Sequence, residues 1–503
     1  MQGQLKKGAV LSYLNIVISI ITGFVVSPLL VRGLGKSEYG AYQMTAALIG
    51  YVSVLDFGLH SSITRYVSKY QASKDEKGQQ NFIGVSLLLF SAIAVLILLV
   101  GFILYINVPA IYKKSATAKE IQIIRQLLVV LIVNLAISMP GAVFESIAVA
   151  YERFIFVKLT TTFKIILRFV AILLLGFWHY NALTVVLIDF SLNILLMLSH
   201  MAYCFKALHI RVKINDCSPR FVKSIFTFSI FVFIAGITDQ INWKADTTIL
   251  GILLGTNAVT LYSVAGSLVG YYRNFSGAIS GIFLPKAVKM VTIGKSDTEL
   301  TDLMIRIGRI QLIIVSMILV GFISLGREFI ILWMGEEFIN AYVWFLIMAI
   351  PLVVPMTQSI GINIIEAKNM HQFRAIVYFF IALANIILTI VFVKIFGVVG
   401  APIGTGLAML VGNTFVINWY YKKRVGLEIG RFFKEVYLKL ALAILSALCG
   451  CIMANHMLPP ATGWGMFLMK GIIIAGIYVA AIWVLGLNQQ EKVQILALRG
   501  KSK

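Results

Sequence analysis

Charge is scarce in this chain: only 13% of its 503 residues are Asp, Glu, Lys or Arg, and 59% are hydrophobic. An average soluble domain carries about 25% charged residues, so a water-facing surface cannot be assembled from this composition. Cysteine is rarer still. The four present, Cys204, Cys217, Cys449 and Cys451, lack partners at zinc spacing and are too few for a disulfide framework; they read as small apolar residues. The ten-residue alternation of a membrane β-barrel is missing. Long polar connections are missing too, which leaves no room for a soluble enzymatic domain. HExxH and GxSxG are absent, which excludes the common hydrolase signatures. The GLGKS at 33–37 is no P-loop, because Leu30 occupies the position that needs glycine and a helix precedes it instead of a strand. A net charge of +22 raises nucleic-acid binding, but the basic residues lie in short loops without a basic, aromatic-interleaved domain. Neither nucleic acid nor nucleotide is expected as a partner, and no metal.

Blocks of about 20 apolar residues are what the chain does have, the length that carries a helix across about 30 Å of hydrocarbon. Only helices or closed barrels satisfy the backbone there. The expected fold is therefore all-α and integral to the membrane, with about fourteen crossings. We read them at 8–32, 41–64, 82–106, 121–149, 155–178, 183–205, 224–251, 258–284, 304–333, 341–366, 375–396, 399–421, 436–455 and 465–486. Lys6 and Lys7 precede a first apolar run too long for a signal-peptide core.

Lys and Arg cluster in alternate loops. One side holds Lys6 and Lys7, Arg65 to Lys77, Lys206 to Lys223, Lys286 to Arg309 and Lys422 to Lys439; the other has Arg32, Lys36, Lys113, Lys114, Lys119, Arg125, Arg327, Lys394 and Lys470. The dense side is expected to be cytoplasmic, with both termini.

Residues 34–51 (LGKSEYGAYQMTAALIGY) align without gaps on 254–271 (LGTNAVTLYSVAGSLVGY), repeating Leu34, Gly35, Tyr42, Leu48, Gly50 and Tyr51 as Leu254, Gly255, Tyr262, Leu268, Gly270 and Tyr271. Six helices between the copies make a parallel repeat about an axis along the membrane normal, with the substrate site between lobes. The expected division is an N-lobe at 1–206, a cytoplasmic linker at 207–223, a C-lobe at 224–421, and two extra helices with a tail at 422–503.

Ionisable residues inside spans each cost about 2.5–3.5 kcal/mol at the bilayer centre, and so mark paths or partners. Lys164 and Arg168 share a helix face, as do Asp239 and Asp246; Asp56 lies near His60; Lys244 sits between the two acids, and Asp189, Glu145 and Glu366 add further carboxylates. Arg273 lies beside Tyr271, Tyr272 and Asn274. Lys164, Arg168, Lys244 and Arg273 are candidate cavity cations for an anionic substrate, since guanidinium grips phosphate through two oxygens. Asp56, Asp239 and Asp246 are candidate counter-ions or ion-coupling sites. Pro351 and Pro355, four apart in one span, are a candidate hinge, against the plainer alternative of a static kink.

The segments LLVRGLGKSEYGAYQ at 29–43, DFGLHSSITRYVSKY at 56–70, LGTNAVTLYSVAG at 254–266 and LWMGEEFINAYVWFLIMAIPLV at 332–353 closely resemble the polysaccharide transporter family. These are lipid-linked oligosaccharide flippases of the O-antigen type, in the superfamily that also holds multidrug and toxin extrusion transporters. The resemblance implies two six-helix lobes of alternating access; no covalent chemistry or bound cofactor is required, and a proton or sodium gradient acting through Asp56, Asp239 or Asp246 is the candidate drive. It implies export of an undecaprenyl-pyrophosphate-linked repeat unit to the outer leaflet of a bacterial cytoplasmic membrane, alongside glycosyltransferases and a polymerase. Some relatives flip the peptidoglycan precursor lipid II; Arg273 looks like one of their cavity arginines. Their deep first-span arginines have no match here, where only Arg32 at the outer end is basic. A cation-coupled drug exporter is the other alternative, disfavoured by the basic bias inside the spans.

Overall fold

The structure, a computed structural model, describes residues 2–177, 180–216, 219–368, 370–489 and 491–493. Cys217 and the end of the tail, with Arg499, Lys501 and Lys503, lie outside the described residues. No strand occurs among them. Nine of the described helical stretches are long and apolar enough to cross a membrane. By packing the chain falls into two compact units, Met1–Ser263 with Thr389–Ala401, and Val264–Leu388 with Pro402–Lys503.

The first unit contains α1 (Gln2–Ser53), α2 (Leu59–Ala72), α3 (Glu76–Tyr112), α4 (Ala118–Ala150), α5 (Phe154–Leu175), α6 (Ala182–Lys206), α7 (Pro219–Leu254) and the start of α8 (Thr256–Thr292). Helix α1 runs through the first expected crossing and on into the second. The loop expected at 35–38 is a single left-handed residue, Gly35, at φ 74 and ψ 167, a conformation that glycine alone adopts cheaply. The second expected crossing, 41–64, is in turn interrupted: a 3-10 turn at Val54–Asp56 is followed by Phe57 and Gly58 in the left-handed region before α2 begins. Helix α4 packs between α3 and α6, and α5 lies along α1, around buried Phe82, Ile97, Leu127, Leu128 and Ile147. Asp75 caps α3, Asn181 caps α6, and Thr117 with Glu120 forms a capping box on α4.

The second unit comprises the rest of α8, α9 (Asp297–Trp333), α10 (Asn340–Thr357), α11 (Ser359–Ala367), most of α12 (His371–Phe396), α13 (Gly400–Met409) beyond Ala401, α14 (Ile417–Tyr420), α15 (Ile429–Phe432), α16 (Lys439–Met457) and α17 (Trp464–Ala481). Short π-helical turns link α13 to α14 and α15 to α16, and one follows α17. One core gathers Leu300, Met304, Ile307, Ile360, Ile364, Tyr421, Phe432 and Leu440. A second joins α16 and α17 to α9 through Val320, Leu325, Ala443, Ala447, Cys451 and Tyr478.

Lys470, read from the sequence as an outer-loop charge, is instead fully buried on α17, 2.6 Å from Glu328 of α9. Outside these cores, bulky apolar side chains such as Phe102, Leu442 and Ile472 are more than half exposed, a surface suited to hydrocarbon rather than water. Cys204 and Cys451 are buried free thiols and Cys449 is an exposed one.

Candidate functional site

Polar groups line the seam between α5 and α6 at intervals of about one turn. On α5, Thr160, Lys164 and Arg168 are spaced four apart and so lie on one face. Thr160 Oγ1 is 2.9 Å from His200 Nε2. The Lys164 ammonium donates to Asn193 Oδ1, whose amide donates to Asn134 Oδ1 at 3.0 Å. The Arg168 guanidinium grips Asp189 with two bonds, Nε to Oδ1 at 2.6 Å and Nη2 to Oδ2 at 3.2 Å. Both members of that pair keep partial exposure, 31% and 22%. Two of the four expected cations are therefore already engaged, one by a carboxylate and one by an amide relay.

Lys244 differs from them. It sits on α7 against α1, where a Cβ added to Gly50 would meet its stem at 3.4 Å. Its ammonium, half-buried, has no hydrogen-bond or ion-pair partner among the described residues. Two residues on, Asp246 is buried and accepts from Tyr262 Oη at 2.5 Å and Thr389 Oγ1 at 3.0 Å. Asp239, on the same helix, is exposed. The seven-residue spacing gives the two acids one face but not one environment.

Asp56 occupies the break after α1, where its Oδ1 accepts from the Gly58 amide at 2.9 Å. That bond steadies the left-handed turn, a local task that the sequence did not disclose. Arg273 is half-buried on α8 in the second unit, and it is not without a partner.

Pro351 and Pro355 both lie inside α10, but the helix stops two residues after the second of them. Gln358, at φ −100 and ψ 11, separates α10 from α11. Buried side chains meet the freed carbonyls. Ser276 Oγ donates to Met356 O at 2.9 Å. The Gln311 amide, oriented by its partners, donates to the Met356 and Thr357 carbonyls at 3.1 Å each and accepts from Ser359 Oγ at 2.7 Å. Gln358 Nε2 donates to Asn418 Oδ1 at 2.7 Å.

Sequence reasoning named the charges but missed the neutral groups that meet them, Asn193, Tyr262 and Thr389, as well as Asn134 behind Asn193 and Gln311 at the helix break. Amides and hydroxyls are unremarkable in an apolar span until their partners are known. No group of three or more His, Cys, Asp or Glu positioned to hold a metal occurs among the described residues.

The chain matches the family described as polysaccharide biosynthesis protein over residues 5–291. A Shigella flexneri protein described as an O-antigen transporter is 20% identical over 419 residues, covering 78% of this chain and 92% of that one. The uncharacterized membrane protein EpsK of Bacillus subtilis is 20% identical over 501 residues, covering 97% and 96%. Among solved structures, the lipid II flippase MurJ in an inward closed conformation superimposes with a TM-score of 0.75 at 16% identity, over 94% of this chain and 99% of that one. The chain is a multi-pass membrane protein that belongs to the polysaccharide biosynthesis protein family.

Proposed function

We propose that this chain is a flippase that carries a pyrophosphate-linked oligosaccharide on a polyprenyl lipid from the cytoplasmic to the outer leaflet by alternating access. One observation carries the reading: the partner-free ammonium of Lys244, half-buried inside the first unit among the described residues. A cation held there without a counter-charge is costly, and a phosphate oxygen is the partner that relieves the cost. Arg168 with Asp189 and Lys164 with Asn193 then offer paired donors and acceptors of the kind that sugar hydroxyls accept. Asp246, whose two named donors are uncharged hydroxyls, is our choice for coupling to a proton or sodium gradient, ahead of exposed Asp239 and turn-forming Asp56. The chain works in a bacterial inner membrane with cytoplasmic termini, beside the glycosyltransferases and polymerase of its pathway.

The experiment is complementation of a deletion strain. Loss of the gene should leave lipid-linked oligosaccharide on the cytoplasmic face. Wild type and Lys244→Arg should restore export, while Lys244→Gln, at equal protein level, should lose about tenfold or more, as expected for one charge-assisted contact. Full export by Lys244→Gln overturns the role of this lysine. A deletion that leaves surface glycan intact and sensitises cells to cationic drugs favours the multidrug alternative; a lethal block in wall synthesis favours lipid II.

A further inference from the structure

The two copies of the internal repeat, at 34–51 and 254–271, each open on a glycine in the left-handed region, Gly35 at φ 74 and Gly255 at φ 85. Within the first unit, the start of one copy lies directly on the start of the other. The Lys36 carbonyl accepts from Thr260 Oγ1 at 2.5 Å. The Thr256 carbonyl rests on Gly40 so closely that a Cβ there would collide with it. Lys36 aligns with Thr256, and Gly40 with Thr260. Exchanging the copies therefore turns each contact into the other, the mark of a local two-fold relation.

The connection between α3 and α4 clasps this junction. Ser115 Oγ donates to Gly251 O at 2.7 Å, and the Ser115 carbonyl lies against Gly255. Glu120, 9% exposed, reaches both copies with one carboxylate. Its Oε1 accepts from Ser37 Oγ at 2.6 Å and from Thr256 Oγ1 at 2.5 Å. Its Oε2 accepts from the Thr117 amide at 2.7 Å and the Thr117 hydroxyl at 2.8 Å. The charged groups on the surrounding elements are Lys36 and Glu38 on α1 and Lys113, Lys114 and Lys119 around the α3–α4 connection; none forms an ion pair with Glu120, and Glu38 accepts from the Ala182 amide at 2.6 Å. An ionised carboxylate has about four acceptor positions and no donor. All the contacts at Glu120 are donors to it, so protonation forces the cluster to rearrange: the new O–H either displaces one donor or turns a hydroxyl from donor to acceptor, and the charge that strengthens the remaining bonds is lost.

We propose that Glu120 is a proton-binding site that governs this junction: ionised it fastens the two repeat copies together, and protonated it lets them part. The inference rests on the alternating-access reading, in which the junction lies on the outer side and must open to release substrate outward.

Hydrogen–deuterium exchange of the purified full-length protein in detergent tests it, with protection corrected for intrinsic rates at about pH 7.5 and about pH 3, a range that spans a carboxylate transition even where donors favour the ionised form, as they do at Glu120. In wild type, protection over residues 251–262 should fall about tenfold at the lower pH, while α16 stays unchanged. Glu120→Gln, which cannot ionise, should show the low protection at both pH values. Thr256→Val, which keeps the carboxylate but removes one donor, should lose protection already at neutral pH, and it serves if Glu120→Gln fails to fold. Wild-type protection in Glu120→Gln at neutral pH, or an undiminished pH response in that variant, overturns the proposal. Exchange is read without substrate, so failure of the Lys244 complementation would leave this result standing, and failure here would leave that experiment untouched.

Discussion

Arg309 turns all three of its guanidinium nitrogens to a single corner of the second unit. Its guanidinium, 7% exposed, holds Glu491 through Nε at 2.6 Å and Nη2 at 2.9 Å, and it also reaches the carbonyls of Gly486 and Glu435. Glu491 lies beyond α17, close to the end of the described residues. Burial disfavours its charged form, but the bonds from Arg309 and the Asn488 amide, with the charges of Arg309 and Lys439, outweigh that and hold its carboxyl below the usual range. A lowered folded value means that the stabilisation is present above the unfolded pKa and is lost as pH falls through the folded one. Thermal unfolding in detergent between about pH 7 and about pH 3 should therefore show a falling melting temperature that Glu491→Gln flattens. At neutral pH, Arg309→Met should cost about 3 kcal/mol, because it strands a part-buried carboxylate and two carbonyls. Equal pH slopes in wild type and Glu491→Gln would show that this contact adds nothing.

Helices, in contrast, are interrupted here by backbone chemistry that single residues only announce. The prolines of α10 were visible in the sequence. The position of the break was not, because it depends on Gln311 of a different helix supplying donors to carbonyls that α10 has released. Gln311→Leu keeps the volume and removes those donors from the Met356 and Thr357 carbonyls; it should cost about 1–3 kcal/mol in thermal stability and raise exchange at 356–362 specifically. A loss spread evenly over the second unit would assign Gln311 to general packing instead. The same limit applies at Asp56. Its charge stood out in an apolar span, but the left-handed pair Phe57 and Gly58 that it steadies could not be told from a continuing helix by composition.

Across the whole molecule, the apolar blocks were legible because each crossing must be almost uniformly hydrophobic. Helix ends were less so: α3 continues to Tyr112 and α8 to Thr292, past the hydrocarbon length and into polar sequence where composition no longer constrains the helix. Pairings were the least legible, since they depend on which helices become neighbours. Lys470 is the clearest case. Counted as a loop charge, it fixes α17 to α9 through Glu328. Lys470→Met should destabilise the second unit by about 3–5 kcal/mol, and the double change with Glu328→Leu should recover most of that, since a buried ion pair contributes little over packed apolar groups. A double variant as unstable as the single one would show that the charges themselves hold the helix pair.

The reciprocal contact of Lys36 with Thr260 and Gly40 with Thr256 has a further meaning. Two separate chains meeting through such a self-complementary patch would associate only as far as their concentration allowed. Here both patches sit on one polypeptide, and the intervening helices act as a tether that fixes their effective concentration. The junction therefore cannot be diluted away. Whether it is open or shut is decided only by local chemistry, so a single proton can be enough to tip it.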